Sequence, residues 1–188
     1  MSSPIEVEKK AWVDDLDSLE DKVRKIGRLI KEIDYRDTYY TYKSVEGYTH
    51  ERFRLRETGA KAWVTAKELI KGEGEEANIE HEFTVSDPAS FHRFVTIFGF
   101  KVLVTKTKSG KIYQVDDESG GPPARIELVD IGGLGNFVEI EIMVPESAMI
   151  GDAKKRVNAL FQKIGIGPEY VEDRPYTLMI YEKSGKED

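Results

Sequence analysis

Residues 5–10 read Ile5-Glu6-Val7-Glu8-Lys9-Lys10. Successive side chains of a β-strand point to opposite faces. Glu6, Glu8 and Lys10 therefore share one face of such a strand, and Ile5, Val7 and Lys9 share the other. Burying unpaired charge is costly, so a face with two carboxylates and an ammonium meets water, a wet cavity or an ion rather than an oily core. Neighbouring carboxylates on a rigid element suit a hard cation such as Mg²⁺ or Mn²⁺, and a lysine beside them suits the phosphates such a cation carries. Taken alone, the pattern is common on solvated strands. It gains weight because it recurs along the chain.

Composition narrows the classes. A chain of 188 residues is long enough to bury a real core and is read as a single domain, 1–188, with a strand core at about 4–144 and a C-terminal helix and tail at 145–188. No apolar run approaches a membrane span and the N-terminus is charged too early for a signal peptide. With no cysteine there is neither a disulfide nor a thiolate metal site, which fits a cytoplasmic location. A net charge of −7 argues against nucleic acid as a partner. His50, His81 and His92 are scattered and do not make a zinc site.

Outward from β-like residues 4–13, the spacing predicts a helix over 14–31, with Leu16, Leu19, Val23, Ile26, Leu29, Ile30 and Ile33 as its apolar stripe and Asp17 or Ser18 as its cap. Strands are expected at 35–45, 51–57, 61–70 and 78–86, with a polar loop at 71–76. Asp87-Pro88 opens a helix that Gly99 ends. A strand at 100–107 should turn at Ser109-Gly110 and return over 111–116. Strands at 124–131 and 136–144 flank a Gly-rich turn. A helix lies within 145–164, and residues 174–181 read as strand or short helix. The fold class is α+β. The wet faces carry whole strands of one sign: Glu6 and Glu8; Arg52, Arg54 and Arg56; Lys61 and Lys67; Glu80 and Glu82; Lys106 and Lys108; then Arg125, Asp130, Glu139 and Glu141. Curled inward, they would line a closed antiparallel barrel of about eight strands with helices packed outside, a tunnel whose filling is water and a ligand of matching charge. A metal-bound polyphosphate is the physical candidate.

These same residues resemble the CYTH superfamily of triphosphate tunnel metalloenzymes, which contains class IV adenylyl cyclases and thiamine and inorganic triphosphatases. The signature appears as Glu6-Val7-Glu8-Lys9-Lys10, Arg54-Leu55-Arg56, Thr65-Ala66-Lys67 and the segment from Asp130 through Gly133-Leu134-Gly135 to Glu139 and Glu141. Asp37-Thr38-Tyr39-Tyr40 is similar to a further family element. The ordered set spans about residues 5–142. It departs from the family pattern at Asn78, at Lys106 and Lys108, and at Glu68-Leu69, which bears on substrate identity more than on fold.

The resemblance implies an enzyme that needs Mg²⁺ or Mn²⁺ and acts on ATP or another triphosphate. The class IV adenylyl cyclase branch, forming cyclic AMP and pyrophosphate, is the first expectation. A triphosphatase hydrolysing inorganic triphosphate or thiamine triphosphate is the alternative, and a non-catalytic polyphosphate or nucleotide binder the further one. It assigns metal binding to Glu6, Glu8, Glu82, Asp130, Glu139 and Glu141, with Glu80 as an alternative to Glu82. Substrate binding falls to Lys10, Arg54, Arg56, Lys67, Lys106, Lys108 and Arg125, and catalysis to Glu6, Glu8, Glu141 and Lys67. Tyr39 could orient water or substrate. No membrane partner is expected, and a homodimer is a possible assembly.

Overall fold

The opening stretch forms β1 (Ile5–Trp12), and its alternation is visible in a computed structural model that describes residues 4–59, 61–69 and 77–185. Asp15 caps α1 (Leu16–Val23), its carboxylate accepting from the amides of Asp17 and Ser18 at 3.0 and 3.1 Å. The helix expected over 14–31 stops there. Gly27 brings the backbone against β-structure so closely that a Cβ would lie 2.9 Å from the Gln114 carbonyl oxygen. From that point the chain runs as one long strand, β2 (Arg28–Tyr42). Leu29 and Ile30, assigned to the helical stripe, are 47% and 38% exposed, while the alternation Ile33, Tyr35, Asp37, Tyr39 is buried.

Then follow β3 (Phe53–Thr58), β4 (Lys61–Leu69) and β5 (Ala77–Val85). The polar stretch 71–76, read as a loop, lies outside the described residues. Asp87 caps α2 (Pro88–Ile97), with Pro at its start. The hairpin expected at Ser109-Gly110 is absent: residues 100–115 form the single strand β6 (Phe100–Val115), which pairs with β2 along its length. Gly110 serves a close approach instead of a turn. A Cβ there would lie 2.0 Å from the Leu128 carbonyl oxygen of the neighbouring β7 (Ala124–Ile131). β8 (Gly135–Val144) precedes α3 (Ile150–Lys163), and the ambiguous tail is the helix α4 (Tyr176–Lys183). Among the described residues no helix is long and apolar enough to cross a membrane.

The strands close into an antiparallel barrel in the order β1-β5-β4-β3-β2-β6-β7-β8. Its main apolar core lies outside the bore. Outward residues such as Val7, Ile126, Val138 and Ile140 pack with Leu19 and Val23 of α1 and Val157, Leu160 and Phe161 of α3. A second cluster joins Tyr40, Leu55 and Val64 to Val95 of α2. An apolar plug of Ile33, Val129, Ile131 and Phe137, with Met179 of α4, fills one end of the bore. Oily burial is thus supplied mostly by the outer layer, which leaves the middle of the barrel free to be polar.

Glu20 ties α1 to β6. Its carboxylate accepts from Lys111 Nζ at 2.7 Å, from the Tyr113 hydroxyl and from Arg24 Nη2 at 2.6 Å. The hydrogen bonds from Lys111 and Tyr113 lower its pKa from 4.5 to about 2. A depressed carboxylate stabilises the fold above its unfolded pKa and loses that contribution as pH falls toward its folded value. Glu20→Gln should therefore lower the melting temperature at pH 7, with the gap to wild type closing between about pH 4.5 and 2; a gap constant with pH would refute the ionic tether. Gly110→Ala should cost about 2 kcal/mol or more in chemical denaturation, because backbone must move to admit the methyl. A turn glycine at that position would predict no clash with β7.

Candidate active site

Strand order sorts the charges that alternate along the sequence. In the closed barrel β7, β8, β1 and β5 are contiguous, and they carry Glu127, Glu139, Glu141, Glu6, Glu8, Glu80 and Glu82. The other half, β4, β3, β2 and β6, carries Lys67, Arg54, Arg56, Lys106 and Lys108. The bore is therefore a wall of carboxylates facing a wall of cations across a cavity of about 1420 Å³. Lys10 and Arg125 are the basic members of the acidic side, and Asp37 is the acid of the basic side.

Each wall is held by particular contacts. Arg56 grips the fully buried Asp37 with two bonds, Nε to Oδ1 at 2.6 Å and Nη2 to Oδ2 at 2.7 Å. Burial alone would raise the Asp37 pKa, but these bonds and the charges of Lys106, Arg56 and Arg54 hold it far below the usual range. Lys106 Nζ lies 3.4 Å from the same carboxylate. Lys108 Nζ crosses to the acidic wall and bridges Glu127 at 2.6 Å and Glu139 at 2.7 Å. Lys67 Nζ reaches Glu6 at 2.6 Å, Glu8 at 3.1 Å and Glu80 at 3.4 Å. Arg125 Nη1 donates to Glu141 at 3.0 Å. From α4 the Tyr176 hydroxyl donates to Glu139 at 2.8 Å, and the ammonium groups of Lys10 and Lys106 lie over its ring.

Arg54 is different. One guanidinium nitrogen donates to Thr65 Oγ1 at 3.2 Å, but its Nε is buried without a hydrogen-bond partner. A buried charged donor left unpaired is costly, and because Arg54 lines the cavity, a small turn of its side chain would let a bound anion satisfy it.

The carboxylates divide by environment. Burial, then the charge of Glu8, pushes the pKa of Glu6 well above 4.5. Burial and Glu127 push Glu141 up, against the pull of Arg125. Glu8 is held low chiefly by Lys67. Burial opposes the same shift in Glu139, but Lys108 and Lys106 outweigh it. Glu8 stands directly opposite Glu141 across β1 and β8, and Glu127 opposite Glu139 across β7 and β8. Like charges in such pairs destabilise a sheet, so this wall calls for cations. Among the described residues, no group of three or more acidic or histidine side chains converges closely enough to hold a metal as it stands; ammonium groups lie between them. The donors are all oxygens, the set a hard divalent cation takes.

All seven cations expected from the sequence line the cavity, as do Glu6, Glu8, Glu80, Glu82, Glu139 and Glu141. Asp130 does not. It lies exposed on the outer face of β7, because the alternation from Arg125 passes through Glu127 and Val129 and skips it. Glu127 takes the place assigned to Asp130, and period-two counting from Arg125 was the signal that could have found it. Asp37 emerges as the hub of the basic wall. Tyr176 was not foreseen, since nothing local separates a short tail helix from a strand. Tyr39 donates to Asp37 Oδ2 at 3.4 Å and so buttresses that hub.

Sequence and structure comparisons give a consistent account. The CYTH domain profile matches residues 4–176. Adenylate cyclase CyaB of Aeromonas hydrophila is 21% identical over 145 residues, 77% of this chain and 69% of that protein. Among solved structures, the PH1012 protein of Pyrococcus horikoshii OT3 superimposes with a TM-score of 0.75 at 24% identity, covering 92% of this chain and 98% of that one. The Hippeastrum protein HpAC1, named as an adenylyl cyclase and described as having a dominant triphosphatase activity, gives 0.61 at 16% identity, covering 96% of each chain. With the eight-stranded barrel and the profile match across nearly its whole length, this chain belongs to the CYTH domain family.

Proposed function

We propose that this chain, acting as a single domain, is a divalent-metal-dependent enzyme that binds a triphosphate in the bore and converts ATP to cyclic AMP and pyrophosphate. The observation that carries the reading is the buried, unpartnered Nε of Arg54 on a cationic wall that faces a carboxylate wall. The name of the Aeromonas relative supports the cyclase form. A triphosphatase is the second reading, favoured by the activity described for the Hippeastrum protein.

In this reading Arg54, with Lys106, Lys108, Lys10, Arg125 and the Arg56 donor that Asp37 leaves free, holds the phosphate oxygens. Glu8 and Glu139, kept anionic by Lys67 and Lys108, are the primary holders of Mg²⁺ or Mn²⁺, and Glu6, Glu82 and Glu141 complete the oxygen set. The cation supplies charge neutralisation at the phosphates. Phosphoryl transfer needs mainly positioning and charge stabilisation, which this arrangement offers. In the cyclase form the ribose 3′-oxygen bonds to the α-phosphorus, the bond to the bridging oxygen breaks and pyrophosphate leaves. In the hydrolase form a water oxygen bonds to the terminal phosphorus, the bond from that phosphorus to its bridging oxygen breaks, and the remaining diphosphate portion leaves as orthophosphate forms. The nucleophile's proton needs an acceptor, and a carboxylate oxygen of the acidic wall that the cation does not engage suits it.

The test is direct: incubate the protein with Mg²⁺ or Mn²⁺ and ATP or tripolyphosphate, and follow cyclic AMP, pyrophosphate and phosphate. Cyclic AMP is expected, phosphate alone would establish the second reading, and silence with both substrates and with thiamine triphosphate would overturn both. Glu8→Gln should abolish turnover while leaving the melting temperature within a few degrees of wild type. The two arginines should separate. Arg54→Ala should weaken metal-free tripolyphosphate binding about tenfold or more with stability retained, since it removes an unused charged donor. Arg56→Ala should cost about 3 kcal/mol or more in stability because it strands Asp37. Equal behaviour of the two variants would remove this division of labour.

A further inference from the structure

Two lysines at the edges of the basic wall, on β4 and β6, reach onto the adjoining strands of the acidic one, and they differ in freedom. Lys108 is enclosed, its side chain 6% exposed between Glu127 and Glu139. The Lys67 side chain is 34% exposed, although its ammonium meets Glu6, Glu8 and Glu80. Glu80 is its cross-strand neighbour on β5, whereas Glu6 and Glu8 lie one strand further, on β1, so the stem must stretch across β5 to reach them. A flexible four-carbon stem can hold that pose or leave it. Two residues back along the same face of β4 stands Thr65, which accepts from Arg54, the arginine whose Nε lacks an acceptor.

We propose that Lys67 is a built-in stand-in cation: in the metal-free barrel it neutralises Glu6, Glu8 and Glu80, and a divalent cation must displace it, delivering the ammonium toward the phosphate-binding wall beside Arg54. The inference rests on the functional reading above and adds an order of events to it. A metal ion and an ammonium cannot share the same carboxylate oxygens without strong mutual repulsion. One of them must go, and only the lysine has a second anion to go to. Metal and triphosphate then assist one another. The metal frees the lysine for the phosphates, and the phosphates hold it away from the metal's ligands. Such coupling is reciprocal between the two ligands. Lys67 acts here as a positioning residue whose first task is to keep the acidic wall assembled while it waits for its ion.

The test uses Mn²⁺ binding followed by electron paramagnetic resonance, with no turnover involved. Lys67→Met keeps the stem and removes the charge. It should bind Mn²⁺ about tenfold more tightly than wild type without tripolyphosphate, and the gain in Mn²⁺ affinity that tripolyphosphate gives wild type should shrink in the variant. Lys67→Arg, which keeps the charge, should stay near wild type. Unchanged or weaker Mn²⁺ binding by folded Lys67→Met would overturn the displacement. Absence of Mn²⁺ binding by every form, with or without tripolyphosphate, would instead overturn the metal-dependent reading itself. Should Lys67→Met fail to fold, wild type still decides. With ¹³Cε-labelled lysine, Mg²⁺ should move and sharpen the Lys67 resonance; Mg²⁺ binding with Lys67 unmoved sinks the proposal.

Discussion

Charge inside the barrel has to be answered by charge, and the rest of the architecture follows from that constraint. Asp37 is fully buried and Glu6, Lys106 and Lys108 nearly so. Removing one partner of such a pair costs about 3–5 kcal/mol, while replacing the whole pair by fitted apolar groups is often neutral or better. A barrel under selection for stability alone would fill its bore with aliphatic side chains. This one keeps bridges through Lys67 and Lys108 that tie carboxylates of β1, β5, β7 and β8 to the opposite wall. Groups with strongly displaced pKa values gathered in one cavity mark a functional site.

The outer layer makes that interior affordable. Amphipathic α1 and α3 bury the odd-numbered face of β1 and the even-numbered faces of β7 and β8, so each of those strands is oily outside and ionic inside. The same alternation explains the order of the strands. β5 is inserted beside β1, and β7 and β8 close the circle on the other side, which gathers acids that sequence order had separated. Closure also leaves no open edge for another chain to pair with. Opposition of the two walls is thus a product of topology acting on local period-two patterns, and neither alone would produce it.

Period two is also why so much of the site was legible. Glu6, Glu8 and Lys10, or Arg54 and Arg56, declare a shared face without any tertiary knowledge. The same rule, applied through β7, separates Glu127 from Asp130; following a motif there in preference to the alternation placed the wrong acid in the bore. Other misreadings have a common cause, which is glycine acting at a distance. Gly27 and Gly110 look like a helix interior and a hairpin tip. Each exists because a neighbouring strand's carbonyl leaves no room for a Cβ, at Gln114 and at Leu128 respectively. Such contacts lie far away in sequence, and no local pattern reports them. The stripe through Leu29 and Ile30 matched a helix by spacing, but pairing with β6 along the whole of β2 outweighs so weak a preference.

What distinguishes a cyclase from a hydrolase on this scaffold lies beyond the ionic walls, since family membership does not fix the reaction. Both reactions need the same grip on phosphates and the same neutralised charge. They differ in which oxygen is brought to which phosphorus, so the deciding contacts are those made to whatever the phosphates are attached to. The cavity has surface for such an attachment. Beside the charged residues it is lined by Tyr35, Phe53, Trp63, Met143, Pro168 and Val171. Bare tripolyphosphate, ionic along its whole length, would leave that lining wet and unused. A nucleotide could lay a flat apolar base on it while its phosphates meet the arginines. Aromatic and aliphatic surface opening into an otherwise ionic bore therefore suits an organic triphosphate better than the inorganic one.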